Sequence, residues 1–300
     1  MHPASTWHVH VVQRFAMANT FGISLGASVA VTTDSTGEIF RNELGGHTTA
    51  SYVSFTAEGR QLGEAALSGL SANAKATAMQ VGRLALMPYE ALTTGDGQLS
   101  SRHWQFSHAA GADAKLMMVD VAVAGEAEPK SLGAVSLLGA LLGKLRATSA
   151  AAEGAAVSIA LPPAVQGEAA SAALADAAAI GGWKLVATPT ASDALACALA
   201  RKWPFSKADE GGASRLVLVL DMGATSTVAS IVQITPPTGG ELATEAQGKV
   251  VAEASDPFLG ATLFDECASP HSLELAPGTQ MPVVRLTRDA PSSFLSQGSL

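Results

Sequence analysis

Two segments of the 300-residue chain carry residues whose types and spacing suit the holding of phosphate. Ile23-Ser24-Leu25-Gly26-Ala27-Ser28 lies near the start, and Leu220-Asp221-Met222-Gly223-Ala224-Thr225 lies in the second half. Each runs from an apolar strand through a polar residue and a Leu or Met to a glycine and then small residues. Glycine permits a tight turn and lets another group approach the backbone closely. Successive exposed N–H groups in such a turn can cradle an anion. Two such hairpins facing each other across a cleft would clamp a polyphosphate. On this pattern alone, two ordinary β-turns fit equally well.

The elements that must position these turns follow from the hydrophobic pattern. Residues 21–31 read as strand, glycine turn and strand, with a further hairpin partner around residues 38–41. Residues 51–56 alternate small and large side chains and predict a strand. The Ala-rich stretch 65–85 predicts a helix, residues 95–101 a polar loop, and residues 116–123 a strand. A helix over 131–148, a strand over 157–161, a helix over 168–180, a strand over 183–186 and a helix over 191–201 follow. This β-α-β-α rhythm predicts an α/β fold with parallel pairing. Residues 207–214 form a polar connector and a lobe boundary. The continuous apolar run 216–220 predicts a buried strand, which turns at Asp221 to Ala224 and leaves through residues 228–234. The tail from Pro236 is richer in Pro and Gly.

Hydrophobic residues make up 48% of the chain and charged residues 15%, which predicts a folded protein. The net charge of -8 argues against a basic nucleic-acid surface. The two cysteines, Cys197 and Cys267, suit a reducing, cytoplasmic setting without a disulfide framework. The longest apolar run, residues 132–143, is shorter than the ~20 residues that span a bilayer. It reads as a buried helix with Val135, Leu138, Leu142 and Leu145 on one face. Residues 1–16 lack the basic start and apolar centre of a signal peptide and read as a flexible extension, so Met17 is an alternative start. His8 and His10 have no acidic or thiol neighbour with which to complete a metal site.

A collinear set of motifs then resembles one family. Asn42 through Thr56 (Asn-Glu-Leu-Gly-Gly-His-Thr-Thr-Ala-Ser-Tyr-Val-Ser-Phe-Thr) is similar to Asn-Asp-x-Gly-x-Arg-Thr-Thr-Pro-Ser-Tyr-Val-Ala-Phe-Thr of the seventy-kilodalton heat-shock protein (DnaK-like) chaperones. Leu62-Gly63-Glu64-Ala65-Ala66 resembles their Ile-Gly-Asp-Ala-Ala. Val219 to Ser230 resembles Phe-Asp-Leu-Gly-Gly-Gly-Thr-Phe-Asp-Val-Ser. Asp256-Pro257-Phe258-Leu259-Gly260-Ala261, with Phe264-Asp265, is similar to Asp-x-x-Leu-Gly-Gly followed by Phe-Asp. The resemblance covers roughly residues 19–265. It implies the nucleotide-binding domain of the family, an actin-like two-lobed ATPase fold with ribonuclease H-like lobes. The first lobe would take residues 17–205. The second, residues 206–300, reads as truncated, without most of its helical subdomain and without a peptide-binding domain. Implied ligands are ATP or ADP with Mg2+. Implied partners are a J-domain co-chaperone, a nucleotide-exchange factor or a ribosome-associated complex; direct nucleic-acid or membrane binding is not expected.

Carried over position by position, the resemblance assigns nucleotide contacts to Gly26, Ala27, Ser28, Gly223, Ala224, Thr225, Ser226 and Gly260. It leaves Asp221 to hold Mg2+ through water and Asp221 with Arg83 as the catalytic candidates. Three charged positions of the family pattern hold other residues. The first hairpin aspartate is Ser24, the lysine is Gly82 beside Arg83, and the glutamate is Thr188 or Pro189. The later hairpin aspartate is Val228. Phosphoryl transfer relies on such charges, so the expectation is a regulatory or ribosome-associated type of member with weak or absent hydrolysis. The alternatives are an active ATP-dependent chaperone ATPase carried by Arg83 and Asp221, or a poorly functional shortened product.

Overall fold

A computed structural model describes residues 20–95, 97, 101, 104–111, 117–121, 129–162, 165, 167–202, 212–236 and 246–268. The extension 1–16, Met17, His8, His10, most of residues 95–101 and 207–214, and the tail beyond residue 268 lie outside them. By contacts the chain divides into a unit ending at Leu263 and another starting at Phe264.

Along the chain, β1 (Thr20–Leu25) and β2 (Val29–Thr33) form an antiparallel hairpin, and β3 (Thr49–Ala50) pairs with β2. β4 (Tyr52–Thr56), β5 (Gly59–Leu62) and β6 (Thr77–Met79) make a three-stranded sheet with β4 central. The short helix α1 (Glu64–Ser68) lies between β5 and β6, and α2 (Val81–Leu86) and α3 (Tyr89–Thr93) follow. β7 (Ser107–Ala110), β8 (Met117–Val121) and β9 (Lys130–Gly133) form another antiparallel sheet. Then α4 (Ala134–Thr148), β10 (Ala155–Ala160), α5 (Glu168–Ile180), β11 (Trp183–Ala187) and α6 (Ala191–Lys202) alternate. β12 (Arg215–Met222), β13 (Thr227–Thr235) and β14 (Gln247–Asp256) form an antiparallel sheet, and α7 (Ala261–Ala268) comes last.

The main sheet has the order β11-β10-β1-β2-β3. β10 runs parallel to both β1 and β11, as the α/β rhythm requires, because α5 carries the chain back between parallel neighbours. Its core centres on α4, whose Leu137, Leu138, Leu141, Leu142 and Leu145 are all buried. α4 meets α5 closely because the contact is made of small residues. A Cβ on Gly139 would lie 2.5 Å from Ile180 Cγ2, and one on Gly143 would lie 3.7 Å from Gly181. The Trp183 indole N–H donates to the Leu142 carbonyl at 2.9 Å and ties β11 to the same helix.

α6 packs its Ala196 and Ala200 on Val232 and Ile234 of β13. Its start is capped within the sequence Thr190-Ala191-Ser192-Asp193. The Asp193 N–H donates to the Thr190 hydroxyl oxygen at 3.0 Å, and that hydroxyl donates to the Asp193 carboxylate at 2.8 Å. No helix among the described residues is long and apolar enough to cross a membrane.

Four sequence expectations need correction. Residues 65–85 are not one helix. Gly69 ends α1, Thr77–Met79 pairs with β4, and Gln80 adopts φ 57 before α2 starts. Residues 38–41 give a single bridge, Ile39 to Thr33, while β3 supplies the pairing on β2. Residues 131–133 extend a sheet before α4 begins. Residues 216–220 do form a strand, but Leu216, Leu218 and Leu220 are 68%, 73% and 67% exposed. β12 has one partner strand among the described residues, and α6 covers the other face of the sheet, so these side chains stay largely exposed.

Candidate functional site

The two glycine segments form matching turns. Leu25 pairs with Ala30 across β1–β2, and Met222 pairs with Thr227 across β12–β13, leaving four residues in each connection. The Gly26 N–H donates to the Val29 carbonyl at 3.0 Å, and the Gly223 N–H donates to the Ser226 carbonyl at 2.8 Å. The first turn excludes a side chain at its first position, since a Cβ on Gly26 would sit 2.7 Å from the Val29 carbonyl oxygen, whereas one on Gly223 would meet the Ser226 carbonyl oxygen at 3.4 Å. Ser24 and Asp221 therefore stand at equivalent places, two residues before the glycine, and both are exposed.

Both turns line one cavity of about 200 Å3. Residues 26–28 and 223–226 border it, together with Ser24, Gly82, Arg83 and Asp221. The carbonyls of each turn are bound from behind. The Ser51 N–H donates to the Ser28 carbonyl at 2.8 Å, and the Ser51 hydroxyl donates to the Gly26 carbonyl at 3.2 Å. At the other turn, the Ala261 and Thr262 N–H groups, first amides of α7, donate to the carbonyls of Gly223 and Ala224 at 3.0 and 2.8 Å. The N–H groups of Ala27, Ser28 and Ala224 have no acceptor among the described residues. Each turn thus spends its acceptors on the fold and keeps donors at the cavity.

Gly260 is the one candidate that the structure does not bring to the cavity lining. It packs behind the second turn, where a Cβ would lie 2.4 Å from the Thr225 amide nitrogen. Thr188 is exposed and also lies outside the lining.

Arg83 is buried, with 5% of its surface exposed. Its Nη2 donates to the Pro257 carbonyl at 3.2 Å, Nε lies 3.5 Å from Met87 Sδ, and the guanidinium carbon sits 5.4 Å from the Phe258 ring centroid. Burial pulls the guanidinium below its ordinary value, to about 10, which still leaves it charged at neutral pH. At the neighbouring lysine position, Gly82 packs on Leu25: a Cβ there would meet Leu25 Cγ at 3.3 Å.

Among the described residues, two ionisable side chains belong to the cavity lining, Arg83 and Asp221. Magnesium prefers carboxylate, phosphate and water oxygens in octahedral order. Among the described residues Asp221 is the one carboxylate of the lining, and its counterpart Ser24 brings a neutral hydroxyl. No group of three His, Cys, Asp or Glu residues able to hold a metal occurs among the described residues. The donor set therefore does not fit a built magnesium site.

Sequence reasoning missed what holds Arg83. The segment from Asp256 to Gly260 was read for its glycine, yet Asp256 bends the chain there. Its Oδ1 accepts from the Phe258 and Leu259 N–H groups at 2.9 and 3.0 Å. That Asx turn is a recognisable sequence signal. It presents the Pro257 carbonyl and the Phe258 ring to Arg83.

Residues 20–280 match the family model described as Hsp70 protein. A human relative, Putative heat shock 70 kDa protein 7, is 29% identical over 259 residues, which cover 84% of this chain and 64% of that protein. The chain thus spans less than two thirds of the length of the curated relative that it matches.

Proposed function

The chain belongs to the Hsp70 family, its α/β sheets are consistent with the family's actin-like fold, and from that premise we propose that it binds ATP or ADP in the cavity between its two glycine turns. The observation that carries this reading is the match of the turns. Each connects its strands through four residues opened by glycine, and both border one cavity. Gly26, Ala27, Ser28, Gly223, Ala224, Thr225 and Ser226 are the proposed phosphate contacts. The amides of Ala27, Ser28 and Ala224 are donors still in need of acceptors, as anion binding uses. Gly260 contributes by letting α7 approach the second turn. The proposed lobe boundary lies near residue 206.

We further propose that hydrolysis is weak or absent. Electrostatic stabilisation of developing charge is the main thing a protein offers phosphoryl transfer. Here Ser24, Gly82 and Thr188 supply no charge, and Arg83 and Asp221 are what remains. The role that follows is a regulatory, chaperone-type one in protein folding, in the cytoplasm. J-domain co-chaperones, nucleotide-exchange factors or ribosome-associated complexes are the proposed partners.

Titration calorimetry of the purified chain with Mg-ADP and Mg-ATP tests the binding, and a steady-state phosphate-release assay tests the turnover. Heat of binding with negligible turnover is the expected pair of results. Absence of heat with both nucleotides removes the nucleotide reading. Turnover that is abolished in Asp221→Ala would restore an active ATPase.

A further inference from the structure

We propose that two copies of this chain pair through β12, antiparallel and about a two-fold axis at Leu218. Their three-stranded sheets would then join into one sheet of six strands. The inference goes beyond the nucleotide reading and does not depend on it.

The edge of β12 is open and unguarded. β12 pairs with β13 at all eight positions without a register shift, and Leu216 to Met222 have no other strand partner among the described residues. β1 is the first strand of the other glycine-turn hairpin, and there β10 fills the second edge. Folded chains blunt open edges with charges, proline or bulges. β14, the opposite edge of the same sheet, carries Lys249 and Glu253 and a register shift. β12 carries none of these between Leu216 and Leu220.

The backbone groups face the right way. The Gly223 N–H bond to the Ser226 carbonyl puts those two residues at a hydrogen-bonded position of the ladder. Bonded and non-bonded pairs alternate along an antiparallel ladder, so Val217, Val219 and Asp221 bond to β13. The N–H and C=O groups of Leu216, Leu218 and Leu220 therefore point to the open edge.

The sequence of that edge fits a second copy of itself. Residues 216–220 read Leu-Val-Leu-Val-Leu, the same in both directions. Paired antiparallel about Leu218, each leucine whose backbone faces the edge meets a leucine of the second copy. Arg215 and Asp221 both lie three residues from Leu218, so each stands opposite the other type across the two-fold. Parallel pairing would set like charges side by side, so charge favours the antiparallel arrangement. The side chains of Leu216, Leu218 and Leu220, 68%, 73% and 67% exposed, are covered in part by their counterparts. A two-strand contact about 25 Å long buries less than the ~1,200 Å2 of a standard interface. The association is therefore concentration-dependent, and because a two-fold pairing uses each edge once it closes at the dimer.

The test is sedimentation of the full chain from about 1 to about 200 µM, with hydrogen exchange read at both concentrations. The expected result is a dimer more than half formed at the upper concentration and dissociated at the lower. Exchange in residues 216–220 is expected to slow by about threefold or more on dimerisation. β13, already paired on both sides, is expected to show no such change. Leu218→Pro removes the N–H at the two-fold and takes no bond from the β12–β13 ladder. Leu218→Lys sets two like charges opposite each other. Each is expected to weaken the dimer by about tenfold or more. The lysine lies on an exposed face, so that variant decides the matter where Leu218→Pro fails to fold. A chain that stays monomeric over the whole range overturns the inference, as does growth past the dimer into larger species. A dimer that leaves exchange in residues 216–220 unchanged, or that survives Leu218→Lys unweakened, assigns the contact to another surface and overturns it too.

Discussion

Arg83 donates a hydrogen bond to the Pro257 carbonyl at 3.2 Å across 174 positions of sequence. The bond joins the start of α2 to the chain leaving β14. Arg83 also lines the cavity between the glycine turns. One buried residue therefore belongs to both the packing and the candidate site.

The stability effect of Arg83→Met follows from opposing terms. The bond to Pro257 is worth about 1.5–3 kcal/mol as a charged hydrogen bond, and the Phe258 contact adds about 0.5–2 kcal/mol. Removing a buried charge returns a desolvation cost of several kcal/mol. The expected net change in urea unfolding is within about 1 kcal/mol. A loss above about 3 kcal/mol would mean that Arg83 acts chiefly as a structural clamp.

Gly260→Ala is expected to damage the second turn. Its Cβ would lie 2.4 Å from the Thr225 amide nitrogen and 2.6 Å from the Ala224 carbonyl carbon, both backbone atoms. Neither can swing aside as a side chain does, so α7 and the turn must separate. Overpacking of this kind costs about 1–3 kcal/mol. Thermal unfolding should show that loss, and calorimetry should show weaker ADP binding. Unchanged ADP affinity would show that the docking of α7 does not shape the turn.

Thr190→Ala removes the reciprocal cap of α6. The Asp193 amide loses its acceptor and the Asp193 carboxylate loses a donor. The expected cost is about 1 kcal/mol in urea unfolding. Thr190→Ser keeps the hydroxyl and should restore most of it. α6 covers one face of the β12–β14 sheet through Ala196 and Ala200, so the loss should extend to that sheet. Hydrogen exchange in β13 should rise in Thr190→Ala and recover in Thr190→Ser.

Much of the fold was legible in the sequence, and the reasons can be named. α5 was predicted over 168–180 and found there because an alanine-rich stretch bounded by Gly167 and Gly181 leaves little choice. The β1–β2 turn was legible because Gly26 sits where a Cβ would lie 2.7 Å from a backbone oxygen, and the β12–β13 turn because Gly223 repeats the same local pattern. Residues 65–85 misled because helix propensity is weak against sheet pairing, and Thr77–Met79 finds β4 as a partner. Residues 216–220 misled because an apolar run reports strand character and says nothing of how many neighbours cover it. Arg83 was placed beside the lysine position from sequence. Its burial and its hold on Pro257 come from contacts at long separation, which a local pattern does not carry.

The Glu43–Lys144 pair gives a pH-dependent prediction. Lys144 Nζ lies 2.5 Å from Glu43 Oε1 and ties α4 to the loop that precedes β3. The Lys144 hydrogen bond is the main cause that holds the Glu43 carboxyl below its ordinary value of 4.5. A carboxyl depressed in the folded state adds stability above its ordinary value and loses it as pH falls through the lowered one. Glu43 is well exposed, so the pair is expected to contribute about 0.2–1 kcal/mol at neutral pH. Lys144→Met should therefore lower the urea midpoint slightly at pH 7. The gap between wild type and variant should close as pH drops below 4.5. Raising the salt concentration at pH 7 should shrink the same gap, since exposed charges are screened. A gap that persists undiminished in acid would assign the effect to the packing of the Lys144 stem. That stem passes close to Gly63, where a Cβ would lie 2.6 Å from Lys144 Cε.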